Sequence, residues 1–107
     1  MQNRIYGYIG LAMKAGKIKA GEFSTEKSIK GGKARLVLVA EDASDNTIKK
    51  FSNSCLHYKV PFYTFGTKDE LGKIIGKEMR SSLSIEDEGF GKRIIGIMNG
   101  GNADVRR

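Results

Sequence analysis

One cysteine, one histidine and one proline are all that this chain holds of three residue types that mark disulfide frameworks, metal sites and rigid turns. A lone Cys55 cannot close an intramolecular disulfide, which fits a reducing cytoplasm. One Cys and one His form no cluster at zinc-ligand spacing, so no metal and no other cofactor is expected. No apolar run approaches the ~18 residues that a membrane span needs. The N-terminal MQNRIYGYIGLAMKAGK lacks the long apolar stretch and small-residue cleavage site of a secretion signal. Neither Gly21-Glu22-Phe23 nor Gly31-Gly32-Lys33 completes a phosphate-binding glycine motif, so a mononucleotide site is not supported. A nucleophile–base pair is also missing. Cys55 and His57 lie two apart on a predicted helix, about 200° around its axis, and do not face each other. Cys55 reads as a small core residue and His57 as a solvated imidazole. Glu41-Asp42 resembles a carboxylate pair, yet it follows a strand and precedes a helix, where capping needs acids. The enzyme reading is therefore the weakest.

What the chain has in excess is positive charge. It counts 107 residues, enough for one hydrophobic core and too few for two. Its 39% hydrophobic and 29% charged residues are ordinary for a globular domain, but the net charge is +7. From Lys14 to Arg35 stand Lys14, Lys17, Lys19, Lys27, Lys30, Lys33 and Arg35 against Glu22 and Glu26: seven minus two, or +5. The rest holds twelve basic and ten acidic side chains, only +2. Such a localised excess favours a polyanion, nucleic acid before an anionic membrane. The plainer alternative is a solvated charged face.

Helical spacing of Ile5, Ile9, Ala12 and Met13, with Tyr6 and Leu11 at the edges, predicts a first helix over 3–15, with Asn3 as its cap and Gly16 as its stop. Residues 17–20 read as a brief strand. Gly21 breaks the chain, and a second helix follows over 22–30, with Glu22 in its first turn and Gly31-Gly32 at its end. The continuous apolar run over 34–40 is the pattern of a central strand covered on both faces. A third helix, over 46–58, turns Ile48, Phe51, Cys55 and Tyr58 to one side and Lys49, Lys50, Asn53 and His57 to the other. A strand over 60–65 is entered at Pro61. Thr67 caps a short helix over 68–75, and residues 76–80 form a loop. The alternating segment 81–85 reads as a strand less buried than that at Leu36. Acids at 86–88 lead into a last helix over 89–98, with Phe90, Ile94, Ile97 and Met98 inward. This alternation predicts a three-layer α/β/α sandwich around a small mixed four-stranded sheet, with residues 1–98 as one domain and 99–107 as a flexible tail.

A helix opening at Gly21 leaves its first N–H groups unpaired, with Lys17, Lys19 and Lys27 nearby. Amides and cations together make an anion site, and several along one edge would follow a phosphate backbone.

At this point the residues resemble a known family. The stretches are Gly21 to Lys27, Ala34-Arg35-Leu36-Val37-Leu38-Val39-Ala40-Glu41-Asp42-Ala43-Ser44, Asn46-Thr47-x-Lys49-Lys50, Tyr58-Lys59-Val60-Pro61-Phe62, Lys68-x-x-Leu71-Gly72-x-x-x-Gly76-Lys77 and Asp87-x-Gly89-Phe90. In order and at matching spacing across about 5–98, they are similar to the kink-turn-binding ribosomal protein family of archaeal and eukaryotic large subunits, the L-seven-Ae family, and most closely to its YlxQ-like bacterial branch. The resemblance implies a compact α/β/α domain that binds RNA without catalysis. A cytoplasmic monomer, ribosomal or ribosome-associated, is the expectation that goes with it. It also implies that the N-terminus of the second helix enters the widened groove of a kink-turn through a G-x-N-E-x-x-K motif. The loop before the last strand would pack on a flipped-out nucleotide.

Carried over by position, the motif's Gly is Gly21 and its Lys is Lys27, while Phe23 replaces the Asn and Ser24 the Glu. A family arginine falls on Gly31. Ser44 stands where some members have an acid, and Lys68 matches a basic residue near the phosphates. Lys77, Met79, Arg80 and Ser81 form the nucleotide-holding loop. With Lys19, Glu22 and Lys30 beside the helix, these are the candidate RNA-binding residues. A Ser hydroxyl has less reach and capacity than a carboxylate, and Phe offers stacking without reading base edges. RNA affinity is thus expected with looser motif choice. Two orientations are open to Phe23, inward as a core residue or outward as a stacking platform. The alternative function is a protein-interaction module of the translation or transcription machinery with weakened RNA specificity.

Overall fold

The computed structural model describes residues 2–100. Within them the order is α1 (Gln2–Lys14), β1 (Ile18–Ala20), α2 (Glu22–Lys30), β2 (Leu36–Val39), α3 (Asp45–Tyr58), β3 (Phe62–Thr64), α4 (Lys68–Ile74), β4 (Ser82–Ile85) and α5 (Glu88–Met98). The sheet runs β1-β4-β2-β3. β2 and β3 are parallel, and β4 is antiparallel to both β1 and β2. Helices α2 and α3 pack on one face, and α1, α4 and α5 on the other. This is the expected three-layer sandwich around a mixed four-stranded sheet.

Side chains opposite one another on neighbouring strands share a face. Lys19, Ser84, Val37 and Phe62 therefore form one row, on the side of α2 and α3. Ala20, Leu83, Leu38 and Tyr63 form another on the opposite side, where the Tyr63 hydroxyl donates to Asn99 Oδ1 at 2.7 Å, just past α5. Leu36 to Val39 are all buried, as the continuous apolar run requires of an inner strand.

Four expectations are corrected. β4 is as buried as β2, not less. Its serines do not meet water, because α2 lays hydroxyls over them: Ser82 Oγ donates to Thr25 Oγ1 at 3.1 Å, and Ser28 and Ser84 share a 2.7 Å contact. Alternation of Ser with Leu and Ile here marks a polar seam inside the molecule. Tyr58 does not join the inner face of α3. It is exposed, since the helix ends there, with Lys59 at φ 60. Helix α1 begins at Gln2, so Asn3 lies inside it and is not its cap. The carboxylate of Asp42 does cap a helix, though not the one that follows it. Its Oδ1 accepts from the Lys68 N–H at 2.9 Å, at the start of α4, while Ser44 caps α3 by accepting from the Thr47 N–H at 3.1 Å.

Thr67 caps α4 with a full capping box, its hydroxyl taking the Glu70 N–H and the Glu70 carboxylate taking the Thr67 N–H. Asp87 caps α5 through the Phe90 N–H at 2.9 Å. Of the expected 99–107 tail, Asn99 and Gly100 still bond back to Ile95 and Ile97. Residues 101–107 lie outside the described residues.

Candidate nucleic-acid interface

β1, β2 and β3 all end at the edge of the sheet where β4 begins. The N-termini of α2, α3 and α4 and the loop before β4 consequently gather there. Backbone hydrogen bonds lock the cluster: Gly21 N–H to Ser82 O at 3.0 Å, Ala40 N–H to Ser81 O at 2.8 Å, Glu41 N–H to Gly66 O at 2.7 Å and Arg80 N–H to Lys68 O at 3.1 Å.

Gly21 caps α2 with φ 95 and ψ 161, a backbone state open to glycine almost alone. No side chain caps the helix, and its first bond runs from the Thr25 N–H to the Gly21 carbonyl at 2.9 Å. The amides of Glu22, Phe23 and Ser24 are left without intrahelical acceptors, beside the positive end of the helix dipole. Glu22 would oppose an anion here, but Lys50 of α3 holds its carboxylate at 3.0 Å. Phe23 stands outward, 79% exposed, which settles its orientation. Ser24 is half-buried beside it, and Lys27 is exposed one turn on. Lys30 is drawn to Glu26 at 3.4 Å. Lys19 and Lys27 make no ion pair among the described residues. Lys17 is not part of this tip. It precedes β1 at the opposite end of the sheet, where its carbonyl accepts from the Glu86 N–H at 2.8 Å.

The loop 76–81 owes its path to Gly72. A Cβ there would lie 2.1 Å from the Glu78 carbonyl oxygen and 3.0 Å from Met79 Cα, so only glycine lets the loop cross α4 this closely. The Lys77 N–H reaches the Gly72 carbonyl at 2.8 Å. The Arg80 guanidinium folds onto the carbonyls of Glu78 and Met79 at 3.3 and 2.9 Å. Met79 is left standing out, 57% exposed, with Lys77 exposed beside it. Ser81 is half-buried at the foot of the loop.

Gly21 to Lys27, Lys19, Lys68 and the loop from Lys77 to Ser81 are thus brought to one end of the molecule, with Ser44 at the head of α3 on the same edge. The two groups weighed for catalysis are kept apart, Cys55 in the core and His57 at the surface. Burial, reinforced by the charge of Glu26, pushes the Cys55 thiol up to about 12.

A model of the ribosomal protein L7Ae/L30e/S12e/Gadd45 family matches residues 3–95. The chain belongs to this family. Among family relatives, the "RNA-binding protein YlxQ" of Bacillus subtilis is 41% identical over 91 residues, covering 85% of this chain and 91% of that protein. The "large ribosomal subunit protein eL8" of Thermoplasma volcanium is 37% identical over 79 residues, covering 73% of this chain and 65% of that protein. A solved structure of a protein of unknown function from Bacillus halodurans superposes with a TM-score of 0.85 at 29% identity, over 89% of this chain and 96% of that one.

Phe23 and Ser24, the expected departures from the G-x-N-E-x-x-K motif, sit at the head of α2, and Gly31, at the expected arginine position, follows its other end. Two features of this family member had no signal in the sequence. Lys50 guards Glu22 from another helix, 28 positions away. A groove of about 370 Å³ between α2 and the edge strand β1 is lined by Lys19, Phe23, Ser24, Lys27, Ser28, Gly31, Lys33 and Glu86. Lys33 and Glu86 enter it from segments that the motif spacing does not connect.

Proposed function

We propose that this protein binds structured RNA, a kinked or bulged internal loop of the kink-turn type, without catalysis. Its contact surface is the N-terminus of α2 together with the loop before β4. In this reading it acts as a cytoplasmic monomer on ribosomal or another kink-turn RNA. The observation that carries it is the meeting of two dissimilar elements at one sheet edge. The uncapped, glycine-opened end of α2, with Lys19 and Lys27, suits phosphates and base edges. The loop from Lys77 to Ser81 presents the exposed Met79 as an apolar surface for an unstacked base. Relatives named as RNA-binding and ribosomal proteins support the same reading.

The test is a titration of a kink-turn hairpin and a straight duplex of equal length at two salt concentrations. The hairpin binds more tightly at both, and equal affinity for the two RNAs overturns the proposal. Lys27→Ala weakens the hairpin complex and lowers the slope of log K against log salt by about one phosphate contact.

A further inference from the structure

The groove between α2 and β1 begins at the proposed kink-turn surface, with which it shares Phe23, Lys19 and Lys27, and runs on beyond it to Gly31 and Lys33. We infer that it holds an unpaired RNA segment, with a base stacked on Phe23 and the phosphates running past Lys27 and Lys19 to Lys33. The inference rests on the RNA-binding reading above and extends it to a strand that leaves the kink.

Four observations carry it. The Phe23 ring is 79% exposed, a large apolar surface with no partner on its outer side, at the mouth of the groove. Lys19, Lys27 and Lys33 line the same groove and form no ion pair among the described residues, although Lys30 and Lys50 on neighbouring surfaces do. Three unneutralised cations against one acid, Glu86, give the groove the charge that a phosphate chain requires. That acid is held from within, since Glu86 Oε2 accepts from Ser28 Oγ at 2.6 Å. The length also fits a strand. α2 spans nine residues, about 13 Å at the helical rise, from Phe23 at its head to Gly31 and Lys33 beyond its end. An aromatic platform followed by a line of cations is how unpaired nucleic acid is bound without reading sequence.

The test uses the full chain, a fluorescent short uridine oligonucleotide, which forms no duplex, and the kink-turn hairpin with blunt ends, all followed by anisotropy. Lys33→Glu weakens the oligonucleotide about tenfold and leaves the hairpin within about twofold. Phe23→Leu weakens the oligonucleotide about tenfold, an effect that persists at high salt because stacking is not screened. Lys92→Glu makes the same charge change on α5, on the opposite face, and leaves oligonucleotide binding unchanged. The inference falls if Lys33→Glu and Lys92→Glu act equally, since the attraction is then general charge. It falls too if neither Lys33→Glu nor Phe23→Leu weakens the oligonucleotide. A hairpin that binds no better than a duplex would instead overturn the kink-turn reading, and the two failures are read from different RNAs.

Discussion

Position 23 shows how much a single side chain carries in this protein. Phe23 and Ser24 stand at the head of α2, at the positions where the resemblance places an Asn and a Glu. Phe23→Asn combined with Ser24→Glu sharpens the preference for a kink-turn over a straight duplex. Each restored base contact adds about 1–3 kcal/mol of discrimination, read as the ratio of the two dissociation constants. The same variant weakens the short uridine oligonucleotide, because the aromatic platform is gone. Tyr6 controls a different property. Its hydroxyl donates to Glu70 at 2.6 Å, and burial followed by Glu70 raises its pKa from 10.0 to about 12. The native state thus holds this proton more tightly than the unfolded chain. The resulting stability is complete below pH 10 and lost as pH rises toward 12. Cys55 adds a loss of the same sign, from about 9 to 12. The Glu70 carboxyl is lowered from 4.5, first by the Tyr6 bond, so its contribution is present above 4.5 and lost as pH falls further. Urea unfolding of Tyr6→Phe across pH shows a flatter decline on both the alkaline and acid sides.

At the scale of elements, two glycines set the geometry of the tip. Gly21→Ala meets no clash, since nothing lies within 4 Å of the added Cβ, but it forces a side chain into the backbone state at φ 95. It costs about 1–3 kcal/mol in denaturant unfolding and tilts the head of α2, so hairpin affinity falls as well. Gly72→Ala drives a Cβ to 2.1 Å from the Glu78 carbonyl. It costs about 3 kcal/mol or more, and it displaces Met79 and Arg80 from the tip. The two outcomes separate by cause, because strain acts in the first and overpacking in the second. Beneath α2, Ser28→Ala leaves Ser84 and Glu86 short of a partner and costs about 1–3 kcal/mol. The seam has no mark in the local sequence. Ser-Leu-Ser-Ile has the alternation of a half-solvated strand, and the hydroxyls that cover it come from Thr25 and Ser28, 57 and 56 positions away. Local patterns report which side chains share a face and not what the fold lays over that face.

Over the whole molecule, the charge of +7 and its concentration in one segment predict a strong salt dependence of RNA binding. Reversing Lys33 reduces the dependence seen with unpaired RNA alone, whereas Lys27→Ala, where the two surfaces meet, reduces it for the hairpin and the unpaired strand alike. Family membership, the order of elements and the sandwich could be read in the chain because each rests on short-range chemistry. The apolar run at Leu36 has the pattern of an inner strand, Gly21 breaks the chain before α2, Thr67 caps the helix that follows it, and acids at 86–88 mark the start of α5. Spacing could not show which ends of these elements meet. β4 inserts between β1 and β2, which pins Ser82 to Gly21 and Ser81 to Ala40. That placement joins a loop near residue 79 to a helix head near residue 23. It also sets Lys33 and Glu86 across from Phe23 and Lys19, while the parallel pairing of β2 with β3 brings Asp42 to the head of α4. The sequence by itself determined the elements and the sign and place of the charge, because caps, glycine breaks and apolar periods act over a few residues. Only the tertiary structure decided that Phe23 faces outward and which distant groups share a surface with it, because strand pairing joins residues that no local preference connects.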